Sequence, residues 1–313
     1  MGIAVVGLGT ALPEGRLTNA DLEATLDTTD QWIVERTGMR ERRVAAPDET
    51  TATLGAAAGA AAIKDSGLAP GDIGLVLVAT CTPVQALPAT AAHVQDLLGL
   101  NCGAFDVAAA CSGFVYGLVA ANGMAAGRPV LLVGSETLTR ITDPGDRSTR
   151  ILFGDGAGAV VLVPSSAEAG GLLSWDLGCD GSGATLLEVP AGGTYMRMEG
   201  SEVFRRAIRI VVESCGIALA GASVAPGDVA LFVPHQANVR IIEACSARLG
   251  IPMDRTAVNL DRYGNTSAAS IPIALAEAAA EGRLAPGDIV LLAGFGAGMT
   301  WASAVMRWER PRP

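Results

Sequence analysis

Ala69-Pro70-Gly71-Asp72-Ile73-Gly74-Leu75-Val76 is the stretch that decides the fold, because close copies of it recur twice later in the chain. The copies are Ala225-Pro226-Gly227-Asp228-Val229-Ala230-Leu231-Phe232 and Ala285-Pro286-Gly287-Asp288-Ile289-Val290-Leu291-Leu292. Pro-Gly-Asp is a turn signal, and the apolar run after it is typical of a buried strand. The first two copies lie 156 residues apart, half of the 313-residue length. The repeat therefore predicts two similar halves, 1–166 and 167–313.

Helical and glycine-rich segments surround these copies in a regular way. Each copy follows an alanine-rich stretch of helical character, at 52–66, 206–221 and 270–282. Glycine-rich turns at 154–158 and 294–298 are expected to lead into further strands. Helices that alternate with buried strands are typical of an α/β layered fold. We therefore expect an α/β protein with a duplicated core.

The composition excludes several classes of protein. Half of the residues are apolar, yet no apolar run reaches the ~20 residues of a membrane span. The N-terminus lacks the features of a signal peptide. The six cysteines form no Cys-x-x-Cys pair, and two histidines offer little for a zinc site. These features predict a reduced, cytoplasmic protein without a metal.

The charge is acidic overall but basic in places. A formal charge of −10 argues against a general nucleic-acid binder. Arginines cluster at 36–43 and at 205–209. Each cluster could receive an anionic ligand or partner, or could form a solvated helix face.

One cysteine stands out in Asp106-Val107-Ala108-Ala109-Ala110-Cys111-Ser112-Gly113-Phe114, where an apolar run leads into an apolar, helix-compatible segment. A cysteine in the first turn of a buried helix meets free N–H groups and the positive end of the helix dipole. These surroundings predict a lowered thiol pKa and a nucleophilic Cys111. The alternative is a packed core cysteine, since free cysteines are often buried.

Two further polar signals follow in the second half. His235 ends a strand of buried type, and Asn265 lies in a turn-rich loop before the helical stretch 270–282. Histidine and asparagine can donate hydrogen bonds to a developing oxyanion, and a thiolate can serve as nucleophile. Cys111, His235 and Asn265 are therefore the candidate catalytic residues.

These motifs, in this order, resemble β-ketoacyl-acyl carrier protein synthase III over essentially the whole chain. The segments that carry the resemblance are 28–38, 106–114, Asp146-Arg147, 153–158, 234–238 and 263–267. The resemblance implies a thiolase-like fold, with two similar halves in a five-layered α-β-α-β-α arrangement. The N-terminal half would carry the cysteine, the C-terminal half would carry the histidine and asparagine, and the protein would be a homodimer.

The resemblance also implies a reaction. Cys111 would accept an acyl group from acyl-CoA, and malonyl-acyl carrier protein would then lose CO2 to give a carbanion that attacks the acyl-cysteine. His235 and Asn265 would stabilise the carbanion, while backbone N–H groups of Cys111 and Ala297 would hold the other oxyanion. No metal or redox cofactor is implied.

Binding residues follow from the same resemblance. Leu87 would close the acyl pocket from the neighbouring subunit. The remaining assignments are Thr28, Trp32, Arg36, Arg147, Phe204 and Asn238 for CoA, Phe153 and Phe295 for the acyl pocket, and Arg205, Arg206, Arg209 and Arg240 for the acyl carrier protein.

Other functions remain open at this stage. The segment 187–195 is shorter than its counterpart in the family, and this shortening is compatible with a relative that primes polyketides or moves acyl groups onto a hydroxyl or amine. A non-catalytic partner subunit is a third possibility. The sequence leaves open the acyl starter, the carrier protein and the choice between fatty acid and specialised metabolism.

Overall fold

The computed structural model describes residues 2–125, 127–165 and 170–309. The strands are β1 (Gly2–Ala11), β2 (Gly15–Thr18), β3 (Glu41–Val44), β4 (Leu75–Ala79), β5 (Gly103–Val107), β6 (Val130–Thr137), β7 (Asp155–Ser165), β8 (Gly171–Cys179), β9 (Leu187–Glu188), β10 (Arg197–Met198), β11 (Val229–Pro234), β12 (Ile289–Gly296) and β13 (Thr300–Arg307). The α-helices are α1 (Asn19–Glu23), α2 (Asp30–Thr37), α3 (Thr51–Ser66), α4 (Thr90–Leu97), α5 (Gly113–Met124), α6 (Arg147–Arg150), α7 (Gly200–Gly221), α8 (Val239–Leu249), α9 (Leu260–Tyr263) and α10 (Ser270–Ala280).

Two main sheets have matching topologies. The first has the order β1-β7-β6-β4-β5, with β4 parallel to both β5 and β6. The second has the order β8-β13-β12-β11, with β11 parallel to β12. An isolated parallel bridge from Phe232 to Thr256 stands where the first sheet has β5. The predicted pair of similar halves is confirmed.

Helices cover and separate the two sheets. α3 packs on the outer face of the first sheet, and α7 with α8 packs on the outer face of the second. α5 and α10 lie between the sheets, where Phe114, Leu118, Ile271 and Leu275 share one apolar core with strands of both sheets. Burial on two faces explains why these central helices are apolar nearly all round. The five-layered α-β-α-β-α arrangement is confirmed.

The predicted glycine-rich turn at 154–158 is wrong. Asp155 begins β7, so Gly156 and Gly158 lie inside a strand. A Cβ atom at Gly158 would lie 2.8 Å from the backbone nitrogen of Ile273 in α10. These glycines therefore allow a helix and a strand to approach closely, a use that local sequence does not separate from a turn. The predicted boundary between 166 and 167 falls outside the described residues and stays a prediction.

The central helices begin in similar ways. A 3-10 turn at Ala110–Ser112 precedes α5, and a 3-10 turn at Ser267–Ala269 precedes α10. Ala110 and Ser267 have positive φ angles of 44° and 46°. Non-glycine residues adopt such angles rarely and mostly where function or packing requires them. The duplication therefore brings two sharp turns together between the sheets.

Candidate active site

Cys111 lies in the turn before α5, against the glycine-rich end of β12. A Cβ atom at Gly296 would lie 2.6 Å from the Cys111 backbone nitrogen, and one at Gly294 would lie 2.7 Å from Cα of Ser112. Any side chain at these two positions would therefore push the turn away. The glycines place the strand end, and the Ala297 turn that follows it, directly beside the sulfur-bearing residue.

Ser112 and Thr300 fasten this turn, and the sequence gives no sign that Thr300 does so. Ser112 Oγ lies 2.7 Å from the Ala109 carbonyl oxygen and 2.8 Å from Thr300 Oγ1. Thr300 Oγ1 lies 3.0 Å from the carbonyl oxygens of both Ala109 and Ala297. One hydroxyl thus connects the nucleophile turn to the turn that would supply the second oxyanion donor.

The prediction of a lowered Cys111 pKa is wrong. Burial raises the pKa of the thiol to about 12, a hydrogen bond with Ser267 opposes this rise, and the Glu136 carboxylate adds to it. Cys111 is 6% exposed, and loss of hydration is the largest cause of the raised pKa. Cys111 is therefore a neutral thiol at neutral pH.

His235 follows directly after β11 and is held at two points. Its backbone N–H donates to the Ala293 carbonyl oxygen at 2.7 Å, and its ring Nδ1 lies 2.7 Å from Ser270 Oγ. Burial lowers the pKa of the imidazole to about 3. The ring is neutral at physiological pH, so one nitrogen carries a proton and the other a lone pair.

Asn265 is oriented by its own loop. Its Oδ1 accepts the Ser267 backbone N–H at 2.9 Å. Its backbone is fixed by hydrogen bonds with Leu152 and Gly154. Because the amide oxygen is occupied, the Nδ2 donors are the part of the side chain left for a ligand.

One cavity brings the three candidate residues together. Cys111, His235 and Asn265 line it together with predicted CoA and acyl-pocket residues, namely Phe204, Asn238, Phe153 and Phe295. A second, mostly apolar cavity of about 200 Å³ also reaches Cys111 and Ala297 and includes Leu138, Ile141, Met196 and Phe153. The thiol therefore lines both cavities, and the first of them carries the polar side chains of His235, Asn238 and Asn265 on a largely apolar wall. Leu87 does not line the second cavity, the apolar chamber, and is 85% exposed.

Cys81 and Glu136, which the sequence reasoning missed, lie beside the chamber. Cys81 lines the chamber, and its Sγ donates to Glu136 Oε1 at 3.2 Å and lies 3.7 Å from Ser267 Oγ. Glu136 is fully buried, and burial raises the pKa of its carboxyl. Thr80 and Thr82 also donate to it. Nothing in the sequence around Glu136, a single glutamate within an apolar strand, indicates that it lies beside this chamber.

The predicted nucleotide-binding residues form a surface cluster. The Arg147 guanidinium stacks on the Trp32 ring at 4.9 Å, and Arg36 lies 5.9 Å from the same ring. An adenine between Trp32 and Arg147 would have to separate them, because their stacking leaves no room for a third ring. Thr28 Oγ1 is buried and has no hydrogen-bond partner in the described part of the chain.

Asn238 connects this cluster to the cavity. Its Oδ1 caps α8 by accepting the Arg240 backbone N–H at 2.9 Å, and its Nδ2 donates to the Arg36 carbonyl oxygen at 3.0 Å. Phe204 lies under the Arg240 guanidinium at 5.6 Å. Asn238 thus contacts both Arg36 of the surface cluster and the cavity that Cys111 lines, and Phe204 lines the same cavity.

The predicted carrier-docking arginines differ in their surroundings. Arg205 and Arg206 both pair with Glu202, and Arg206 also approaches Asp180 at 3.5 Å. Arg209 and Arg240 are exposed. Carboxylates beside Arg205 and Arg206 offset part of their charge, and Asp180 also interacts electrostatically with Arg209, so the patch is less positive than four arginines alone would make it.

Arg42, from the other arginine cluster, is structural. It is fully buried and donates to the Ile151 carbonyl oxygen and to Asn19. Burial lowers the pKa of its guanidinium to about 10, so it stays charged at neutral pH. The cluster at 36–43 is therefore not one anion-binding surface.

A buried thiol, two nitrogen side chains and an apolar chamber suit the chemistry of acyl thioesters. These groups lie beside the paired central helices, between two similar sheets. The arrangement defines a condensing enzyme of the thiolase fold. The family description 3-oxoacyl-[acyl-carrier-protein] synthase III matches residues 105–181, and the description of its C-terminal part matches 219–308. The chain belongs to the β-ketoacyl-[acyl-carrier-protein] synthase III family.

Individual relatives span nearly the full chain. A β-ketoacyl-[acyl-carrier-protein] synthase III of Roseiflexus sp. is 52% identical and covers 97% of this chain and 98% of the relative. The 3-oxoacyl-[acyl-carrier-protein] synthase III of Aquifex aeolicus is 43% identical with a TM-score of 0.95, over 98% of this chain and 100% of that one. The priming β-ketosynthase of the R1128 polyketide pathway is 37% identical with a TM-score of 0.92, over 99% and 97%.

Within the described ranges, no helix is both long and apolar enough to cross a membrane.

Proposed function

We propose that this enzyme condenses an acyl-CoA starter with malonyl-acyl carrier protein, through an acyl-Cys111 intermediate, and so begins a fatty acid or polyketide chain. The observation that carries the proposal is the single cavity lined by Cys111, His235 and Asn265. The enzyme is thus an acyltransferase that needs no metal or redox cofactor. Its six cysteines are free thiols, in keeping with a reduced, cytoplasmic setting.

The first half-reaction transfers the acyl group. The Cys111 sulfur attacks the thioester carbonyl, the bond to the CoA sulfur breaks, and the Cys111 proton passes to that sulfur. Because burial raises the Cys111 pKa to about 12, the thiol rather than the thiolate is the predominant form before attack. Backbone N–H groups of Cys111 and Ala297 would receive the carbonyl oxygen as it becomes negative.

The second half-reaction forms the carbon–carbon bond. Malonyl-acyl carrier protein loses CO2, and the electron pair of the broken bond forms an enolate at the thioester. Nitrogen donors of His235 and Asn265 would bind the enolate oxygen. Removal of one such donor typically costs ~3 kcal/mol of transition-state stabilisation. The carbanion then attacks the acyl carbonyl, the bond to the Cys111 sulfur breaks, and the released thiolate takes a proton from solvent to restore the thiol.

The apolar chamber would hold the acyl chain, and its outer wall would come from a second copy. β5 is an edge strand of the first sheet, and the nearby side chains of Val84, Leu87 and Leu97 are exposed by 40%, 85% and 55%. An open edge beside exposed apolar side chains suits pairing with another chain. In this homodimer Leu87 of the second copy would close the chamber at intermediate depth.

Intact-mass measurement with a series of acyl-CoAs tests the first half-reaction. The wild-type enzyme should gain one acyl group, the Cys111→Ala variant should gain none, and Cys215→Ala should behave as wild type. Cys215 is a suitable control because it is fully buried in α7 and lines neither cavity. An adduct on Cys111→Ala, or none on wild type with any donor, would contradict the proposal. An adduct that leaves only with an alcohol or amine would favour the other acyltransferase reaction.

A further inference from the structure

Ser270 is the first residue of α10 and lies against the His235 ring. Its side chain is 2% exposed, and its Oγ lies 2.7 Å from His235 Nδ1. Since Nδ1 is occupied by this contact, Nε2 is the ring nitrogen that His235 can present to the cavity it lines. Which ring nitrogen carries the proton therefore depends on whether Ser270 Oγ donates or accepts in its hydrogen bond with Nδ1.

The Ser270 hydroxyl has one proton and two acceptors within reach. One is His235 Nδ1, and the other is the Ser267 carbonyl oxygen at 2.8 Å. The Ser267 carbonyl already accepts the Ser270 backbone N–H. Two arrangements satisfy these buried groups. In one, Nδ1–H donates to Ser270 Oγ and the hydroxyl donates to the Ser267 carbonyl oxygen. In the other, the hydroxyl donates to Nδ1, and only this arrangement leaves the ring proton on Nε2.

We propose that Ser270 is a positioning residue whose hydroxyl donates to His235 Nδ1 and so holds the ring in the tautomer that presents Nε2–H to the substrate. This assignment rests on the proposed function, because an enolate oxygen needs a donor at Nε2. The opposite tautomer would direct a lone pair at the negative oxygen. A protonated ring does not supply the donor either, because burial lowers the imidazole pKa to about 3.

Two consequences separate this role from simple packing. Loss of the hydroxyl should slow the enolate-forming half-reaction, which uses Nε2–H, and should leave acyl transfer to Cys111 unchanged. The loss should also change the proton distribution on the ring, even without substrate. Removing the partner that orients a metal-bound histidine typically costs ~10- to 100-fold in activity, and we expect a loss of the same order here.

Nitrogen-15 NMR of histidine-labelled protein tests the tautomer directly, because the chain has only two histidines, His93 and His235. We expect Nε2–H at His235 in the wild type and a shift toward Nδ1–H in Ser270→Ala, with condensation ~10- to 100-fold slower. Ser246→Ala is the matched control. Its hydroxyl is also buried, 2.7 Å from the Ile251 carbonyl oxygen and 2.8 Å from Thr256 Oγ1, away from both cavities.

Nδ1–H at His235 in the wild type, or an unchanged tautomer in Ser270→Ala, would overturn the assignment. Equal loss of condensation in Ser270→Ala and Ser246→Ala would do the same. The spectrum needs no substrate, so it also separates the two proposals. An enzyme that shows the tautomer shift but does not condense would refute the proposed function and leave the role of Ser270 standing.

Discussion

At the scale of single residues, burial keeps both Cys111 and His235 neutral. It raises the pKa of Cys111 to about 12 and lowers that of His235 to about 3. A thiolate–imidazolium pair is therefore not the resting state of this site. In the proposed reaction the nucleophile would start as a neutral thiol, and the histidine would act as a neutral hydrogen-bond donor.

Acid should destabilise the protein through His235. An ordinary histidine has a pKa near 6.5, so between about pH 6.5 and 3 the unfolded chain binds a proton that the folded protein does not. Stability supplied by the neutral ring is complete above this window and is lost as the pH falls through it. At pH 5 the loss should be about 2 kcal/mol relative to pH 7.

Urea unfolding at pH 7 and pH 5 measures this acid-induced loss of stability. Other groups also titrate, so the useful quantity is the difference between wild type and His235→Gln, which has no imidazole. We expect the variant to lose less stability on acidification. The same acid-induced loss in both proteins would refute the lowered His235 pKa.

At the scale of elements, close packing of turns and strands sets the site. β12 can pass the nucleophile turn only because Gly294 and Gly296 have no side chains there. Thr300 holds the same turn from β13. The nucleophile's position is thus fixed by contacts between segments nearly 190 residues apart in the chain.

Gly296→Ala should abolish acyl transfer. The new Cβ atom would lie 2.6 Å from the Cys111 backbone nitrogen, a group that cannot move without moving the nucleophile. Gly216→Ala is the control, because its Cβ would meet nothing within 4 Å in helix α7. That change should preserve activity and stabilise the helix by ~0.5–1 kcal/mol. Acylation rates and thermal unfolding measure both effects, and a fully active Gly296→Ala would contradict the packing described.

The sequence predicted some elements of the site and missed others for physical reasons. The strands after Pro-Gly-Asp and the helices before them follow local patterns, and both are present in the structure. The contacts of Thr300, Ser270 and Cys81 depend on which distant side chains meet, and single residues of these types carry no local signal. The error in the Cys111 pKa has the same origin, because desolvation is a property of the packed molecule.

At the scale of the whole molecule, the two similar halves each contribute residues to the site. The first half contributes the turn with Cys111, and the second contributes the turn that carries Ser267 and leads into α10. His235 and Asn265 also come from the second half. Neither half has the complete set, so the chemistry requires both sheets and the paired central helices.

The proposed homodimer gives a prediction for Leu87. If Leu87 of a second copy closes the acyl chamber, Leu87→Asp should weaken the homodimer, and Leu87→Phe should shift preference toward shorter acyl-CoAs. Light scattering and acyl-CoA competition measure the two effects. Ile217→Asp is a control, since Ile217 is 57% exposed on α7, away from β5. A monomeric wild type, or a dimer unaffected by Leu87→Asp, would contradict this arrangement.

The fate of acyl-Cys111 on addition of malonyl-acyl carrier protein tests the central claim most directly. Intact mass should show the adduct disappearing from the wild type as CO2 and a β-ketoacyl product form. In His235→Ala and Asn265→Ala the adduct should form normally and then persist, with discharge slowed ~100- to 1,000-fold. An acyl group that both variants discharge at the wild-type rate, or that the wild type never discharges to malonyl-acyl carrier protein, would contradict the account.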